Sequence, residues 1–427
     1  MSEVVIVSGC RTAIGQFGGG LKDVPLADLG AIAIRDVLLK VGLKPVPGEL
    51  LGYQPNALAD VECEVETQYR KWPDNLKEVQ VDELIMGCVY PQGQRQNPMR
   101  RAAMFAGMPK ETPAWGLNKL CGSGMEAIVT SVQKILEGDT EVMIAGGMES
   151  MSNVPYALPR ARWGYRMDMD GRADFYDLLL WDALKDAFKE YHTGITAENI
   201  AERYKISREE QDKLALLSHQ RALAAIKSGK FKDEIVPVPL PPKKGVTAVF
   251  DTDERPMETS MEKLGKLPPS FKKDGTVTAG NASGINDAAA AVLLMTDRKA
   301  RDMGLEPMLT IKAHASAGVD PAYMGLGVIP AVRKLLKKAK LDFKDIDIIE
   351  INEAFAAQVL GCLRELPFDM DRVNLLGGGI SLGHPVGATG ARLLVTIAHE
   401  MKRRNLHRGI TTMCIGGGMG IAMLVER

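Results

Sequence analysis

Short runs of β-branched and aliphatic residues alternate along this chain with longer stretches of helical pattern. Val4–Val7, Glu83–Met86 and Glu141–Ala145 have the length and composition of strands, and Leu26–Val41 and Met125–Glu137 read as helices between them. The rhythm returns toward the C-terminus, with helices at Ala331–Ala339 and Ala391–Arg403 and strands at Asp347–Ile351 and Ile410–Ile415. Strands of that length separated by helices predict an α/β architecture.

The two ends also resemble each other. Cys121-Gly-Ser-Gly opens a helix, a charged turn follows at Glu137-Gly-Asp139, and the strand Val142-Met-Ile-Ala leads into Gly146-Gly147. His384-Pro-Val-Gly-Ala-Thr-Gly opens a helix, a basic turn follows, and Thr411-Thr-Met-Cys-Ile leads into Gly416-Gly-Gly. Each half therefore places a reactive residue at a helix N-terminus and glycines after the next strand. That pattern predicts a duplicated unit with its active site between the halves.

Two segments break the pattern. From about Tyr156 to Ser283 the chain carries polar helices such as Arg208–Ser228 and the run Pro237-Val-Pro-Leu-Pro-Pro242, and reads as an irregular insertion. From Lys44 to about Val79 it contains Pro45, Pro47, Pro55 and Pro73 and more acidic than basic residues, the mark of a solvated excursion. Leu50, Leu51, Tyr53, Tyr69 and Trp72 leave room there for a subunit contact or a rim over the active site.

Composition narrows the function. The 427 residues are 45% hydrophobic and 25% charged, ordinary for a globular protein of two or three domains. Lys plus Arg (53) balances Asp plus Glu (54), which argues against a general nucleic-acid or membrane-surface binder. The six cysteines show no Cys-x-x-Cys pair and no metal-ligand spacing. The start, Met-Ser-Glu-Val-Val-Ile-Val-Ser-Gly, reads as an immediate strand instead of a signal peptide, and no window is apolar enough to span a bilayer. These features predict a cytoplasmic protein.

Four short motifs carry the chemistry: Asn118-Lys-Leu-Cys121-Gly-Ser-Gly124, Asn352-Glu-Ala-Phe355, Gly383-His384-Pro-Val-Gly387 and Cys414-Ile-Gly-Gly-Gly-Met-Gly420. Cys121 before a good helix start reads as a nucleophile whose thiolate the helix dipole favours, and equally, taken alone, as a small buried cysteine. A lone histidine in a glycine-rich turn such as that of His384 is more often structural. The glycines after Cys414 are no dinucleotide loop, since the chain ends seven residues after Gly420 and no helix with a following acidic residue remains.

Together, and with Val4-Val-Ile-Val-Ser-Gly-Cys-Arg-Thr-Ala13, these motifs resemble the signature set of the thiolases along most of the chain. The resemblance implies two similar halves in a layered αβαβα arrangement. It divides the chain into an N-terminal half at 1–155 with the insertion at about 44–79, a loop domain over coenzyme A at 156–283, a return to the N-terminal half at 284–306, and a C-terminal half at 307–427. It makes Cys121 the nucleophile, His384 its base and Cys414 the acid/base at the α-carbon. Asn352 is expected to hold a water that forms one oxyanion hole with His384, and the backbone of Cys121 and Gly416 a second; Glu353 remains structural. Ser283 is expected on the pantetheine arm, His192 in the acyl pocket, Arg255 on a phosphate and Phe271 toward the adenine. Thr193 stands where methionine is typical.

The activity so implied is acetyl transfer from acetyl-CoA, the reversible thiolysis and Claisen condensation of acetoacetyl-CoA through acyl-Cys121. The alternative is a 3-ketoacyl-CoA thiolase of broader or longer chain specificity. Acyl-CoA and coenzyme A are the expected partners, with no metal or redox cofactor, in a homotetramer built as a dimer of dimers. A decarboxylating ketosynthase would want histidine in place of Cys414, and a non-catalytic relative would be expected to lack a reactive residue.

Overall fold

The computed structural model describes residues 3–58, 61–167, 172–242 and 248–427; residues 59 and 60 of the Lys44–Val79 excursion lie outside them. In the N-terminal half come β1 (Val4–Thr12), α1 (Leu26–Leu39), β2 (Glu83–Gly87), α2 (Pro98–Phe105), β3 (Ala114–Leu117), α3 (Ser123–Glu137) and β4 (Val142–Ser150). The long insertion holds α4 (Gly194–Tyr204) and α5 (Arg208–Lys227), after which β5 (Asn286–Thr296) returns to the first half. The rest is β6 (Leu309–Gly318), α6 (Val328–Ala339), β7 (Ile348–Ile351), α7 (Ala356–Leu363), α8 (Val386–Arg404), β8 (Arg408–Ile415) and β9 (Met419–Glu426).

These strands hydrogen-bond in the order β7-β8-β9-β6-β1-β5-β4-β2-β3. Outward from the centre, β1, β5 and β4 are antiparallel in turn and β4 is parallel to β2. On the other side β6, β9 and β8 are antiparallel in turn and β8 is parallel to β7. One topology thus occurs twice, joined where Val4–Ile6 pair with Leu309–Ile311. The repeat legible in the motifs is a repeat of the fold.

Strand alternation builds the layers. Val5 and Val7 of β1 pack outward on Leu29, Ile34 and Leu38 of α1, while Val4 and Ile6 face Met125 and Ile128 of α3 and Leu393 and Leu394 of α8. In the second half Met413, Ile415, Ile421 and Met423 face the same two helices, and Ile410, Cys414, Ala422 and Leu424 pack outward with Val332 and Leu335 of α6. Helices α3 and α8 are therefore the middle of five layers. Every residue of α8 from Val386 to Ala398 is buried, the mark of a helix covered on all sides.

Strand β5, Asn286-Asp-Ala-Ala-Ala-Ala-Val-Leu-Leu-Met-Thr296, stands apart from the sequence rhythm. Its four alanines favour helix on propensity, but the strand lies between β1 and β4 with every position buried, and tertiary pairing decides. Most described residues of the excursion are exposed, as a solvated segment should be, but it is anchored at several points. Leu43–Val46 pair with Lys77–Gln80, Trp72 donates to the Gly107 carbonyl (2.8 Å) beneath the Arg35 guanidinium (4.1 Å), and Tyr69 stacks on Phe105 (4.7 Å). It clamps α1 to α2. The long insertion is tied to both halves: Ile200 and Leu214 share a core with α6 and α7, and buried Arg11 of β1 pairs with Glu234 (2.6 Å) and Asp253 (2.7 Å).

Candidate active site

Cys121 lies two residues before α3, at the end of a turn that is held at every step. Leu120 adopts φ 49°, a left-handed conformation that costs a leucine about 1–3 kcal/mol. Asn118 Oδ1 accepts the Leu120 N–H (2.8 Å) while its amide nitrogen donates to Val89 (3.3 Å). Ser123 Oγ accepts from Lys119 N–H (2.8 Å) and donates to the Leu120 carbonyl (2.6 Å). The strained turn turns the thiol toward a cavity.

His384 precedes α8 by two residues and is buried. Gly383 before it has φ 112°, and a Cβ there would lie 2.5 Å from the Asn286 side chain, so only glycine fits. Asn286 Oδ1 accepts the His384 N–H (3.0 Å). His384 Nδ1 is 2.7 Å from Thr389 Oγ1, whose hydroxyl donates to the Pro385 carbonyl (2.9 Å). With its proton so committed, Thr389 accepts from Nδ1–H, and Nε2 keeps its lone pair. Asn352 Nδ2 lies 3.3 Å from that Nε2, and Asn352 Oδ1 is buried with no protein partner.

The two helix starts meet through glycine. A Cβ on Gly124 would lie 2.7 Å from the Gly387 carbonyl oxygen, one on Gly147 would collide with the same oxygen, and one on Gly387 would lie 2.5 Å from Glu149 Oε2. These glycines let the two halves approach each other.

Burial sets the protonation states. It drives His384 down to about 3, helped by the charge of Arg392, so the imidazole is neutral and an acceptor at neutral pH. Burial also pushes the Cys121 thiol up, against backbone hydrogen bonds from Gly416 and from Cys121 itself, with Glu149 adding to the rise. The thiolate expected at this helix start is therefore corrected: desolvation outweighs the backbone hydrogen bonds to the sulfur, and the resting pair is thiol and imidazole. The thiol of Cys414 is raised by burial, then by Cys121 and Cys362.

A cavity of about 320 Å³ opens onto this pair, lined among others by Cys121, His384, Gly416, His192, Thr193, Arg255, Phe271 and Ser283. Asn352 and Cys414 are buried behind its wall. His192 Nδ1 accepts the Gly194 N–H (3.0 Å), which leaves Nε2–H as a donor, and its ring stacks on Phe271 (4.5 Å). Phe271 thus stands against His192 on the cavity wall. The Arg255 guanidinium donates to the carbonyls of Ile380 (2.8 Å), Ala282 (3.1 Å) and Ala279 (3.4 Å), binding the Ser283 turn to the His384 loop. Glu353 accepts from Ser218 (2.6 Å), Asn374 (2.8 Å) and the Ile380 N–H (3.2 Å) and does not line the cavity. Sequence reasoning passed over Thr389, Asn286 and Glu149. Only Thr389, inside the histidine motif and one turn along, carried a local signal.

Comparison with known proteins agrees with this geometry. Residues 4–49 and 72–298 match the thiolase N-terminal domain and residues 305–427 the thiolase C-terminal domain. This chain belongs to the thiolase family. It is 50% identical to the acetyl-CoA acetyltransferase of Chromobacterium violaceum over 100% of both chains, and 48% identical to that of Syntrophomonas wolfei over 99% of both. The crystal structure of the Bacillus anthracis acetyl-CoA acetyltransferase superimposes with a TM-score of 0.88 at 41% identity, covering 100% of this chain and 99% of that one. The family match skips residues 50–71, but these relatives align end to end.

Proposed function

We propose that this thiolase is an acetyl-CoA C-acetyltransferase, interconverting two acetyl-CoA with acetoacetyl-CoA and coenzyme A. The observation that carries the reading is the cavity-facing thiol of Cys121 beside the buried, neutral imidazole of His384 at two abutting helix starts. In synthesis Cys121 attacks the thioester carbonyl, its proton passes to His384, and coenzyme A leaves as the thiol with that proton. Cys414, its own proton passed to the His384 imidazole, then takes the α-proton of a second acetyl-CoA as a thiolate. The carbanion displaces the Cys121 sulfur from the acetyl group, and that sulfur regains a proton from His384. Cleavage runs the same steps backwards.

Oxyanion charge falls to the backbone N–H groups of Cys121 and Gly416 in one step and to His384 with a water on Asn352 in the other, each donor worth about 3 kcal/mol. The unpartnered Asn352 Oδ1 supports that water. Ser283 along the cavity receives the pantetheine arm and His192 the acyl end. The thioester itself delocalises the carbanion, so the chemistry calls for no metal or redox group. The relatives named above support acetyl as the acyl unit.

The broader 3-ketoacyl-CoA reading has one observation in its favour: Thr193, smaller than methionine, lines the cavity. We assign the enzyme to fatty acid metabolism in the cytoplasm, as a homotetramer. Exposed Tyr156, Trp163, Phe175 and Trp181 on one segment suit an assembly face. Among the described residues no helix is long and apolar enough to cross a membrane. The test is thiolysis of acetoacetyl-CoA against its six- and eight-carbon homologues, with mass analysis of the acyl-enzyme. Faster turnover of the longer substrates would replace the acetyl reading with the broader one. No acyl group on Cys121 would remove both.

A further inference from the structure

Between the two reactive turns lies a carboxylate that the chemistry above does not use. Glu149, near the end of β4, is fully buried. It accepts the backbone N–H groups of Val89 (2.9 Å) and Tyr90 (3.1 Å) on the turn after β2, the backbone N–H of Gly387 (2.7 Å) in the first turn of α8, and the Cys88 thiol (3.5 Å). From Val89 the network runs on to the nucleophile, through its carbonyl to Asn118 Nδ2 and from Asn118 Oδ1 to the Leu120 N–H. Gly387 lies three residues beyond His384. One side chain from the first half thus grips both turns.

Every partner of this carboxylate is a donor. The arrangement suits the ionised, acceptor-only form, because the acid would aim an O–H at one of them. The titratable groups that face it are Cys88 and Tyr90 from the turn after β2 and Cys121 from the start of α3. Across the sheet β5 sets Ala288 opposite, with Asp287 beside it committed to Ser152, and α8 presents the Gly387 backbone. Among the described residues no cation pairs with it.

We propose that Glu149 is a positioning residue for acyl transfer: as a carboxylate it holds the His384 turn and the Cys121 turn in register, and its protonation loosens both. The proposal rests on the acyl-Cys121 reading. Burial lifts this carboxyl to about 7, while His384 is held near 3. The carboxylate form, and with it the register, is therefore present above about 7 and lost as pH falls through that value. The acid limb of Cys121 acylation near neutrality belongs to Glu149, not to the histidine.

The experiment measures Cys121 acetylation by acetyl-CoA and its alkylation by iodoacetamide against pH, in the wild type, Glu149→Gln and Cys88→Ser. Wild-type acetylation should fall below about pH 7. Glu149→Gln keeps the shape but turns an amide donor toward the backbone N–H groups; it should lower the acetylation rate about a hundredfold and abolish the limb. Cys88→Ser supplies a stronger donor to the carboxylate and should move the limb to lower pH. A purely structural role would lower melting temperature and shrink rates equally at every pH with the limb in place, and that result overturns the proposal. Should Glu149→Gln fail to fold, an unmoved limb in Cys88→Ser overturns it alone. A wild type that never acetylates refutes the acyl-transfer reading instead, while its alkylation profile still reports on Glu149.

Discussion

The two halves start their central helices alike and use them differently. Helices α3 and α8 lie side by side in the middle layer, each leading into a strand that pairs parallel to β2 or β7. Before α3, a strained Leu120 and the Asn118 and Ser123 hydrogen bonds present a thiol to the cavity. Before α8, the imidazole is buried, its Nδ1 tied within its own half to Thr389 and its Nε2 facing Asn352. One station is built for access and the other for exclusion of water. Shared topology brings the two groups together, and burial then separates their roles, since a histidine held near 3 stays an unprotonated base at neutral pH.

The comparison breaks most completely at the nucleophile. Cys121→Ala should lower turnover at least about ten-thousandfold and abolish labelling by radiolabelled acetyl-CoA, because among the described residues no second thiol lines the cavity. Stoichiometric labelling of that variant would place the nucleophile elsewhere. At the other station, His384→Asn should cost about a thousandfold in acylation with the fold intact, read by single-turnover kinetics.

Cys414→Ser divides the reaction differently. The acyl-enzyme should still form, with a burst of coenzyme A, while acetoacetyl-CoA formation drops about a thousandfold, since a serine hydroxyl is too weak an acid to supply the base. Equal loss in both half-reactions would reject that division of labour.

Thr389→Val sharpens the contrast more finely. It removes the acceptor that fixes the His384 tautomer and should reduce kcat about tenfold to a hundredfold with KM little changed. A rise in KM alone would assign Thr389 to substrate binding. Smallest in activity is Trp72→Ala on the excursion, which should cost about 1–3 kcal/mol in urea unfolding and leave kcat as it was. Lost activity without lost stability would connect that buttress to the cavity.

Much of the architecture was legible along the chain. Both reactive residues precede helices that the apolar pattern locates, and the repeat of motif, helix, turn and strand is the repeat of β2-α3-β4 in β7-α8-β8. Strand β5 was not legible. Its alanines carry no strand signal, and only its place between β1 and β4 makes them extended.

The thiolase resemblance carried by four ordered motifs singled out Cys121, His384, Cys414 and Asn352, since residue type alone left Cys121 open and made His384 more often structural. Their working states were decided in three dimensions. The thiol is held neutral because burial disfavours its charge more than the backbone N–H groups of Gly416 and Cys121 favour it. The tautomer of His384 follows from a hydroxyl one helical turn away, and the register of the two turns from a carboxylate more than two hundred residues before Gly387. Gly124, Gly147 and Gly387 are spent on contact between the two halves. Protonation and hydrogen bonding depend on the local dielectric and on which atoms fall within about 3 Å. Both are properties of how remote segments pack, and local composition carries no record of them.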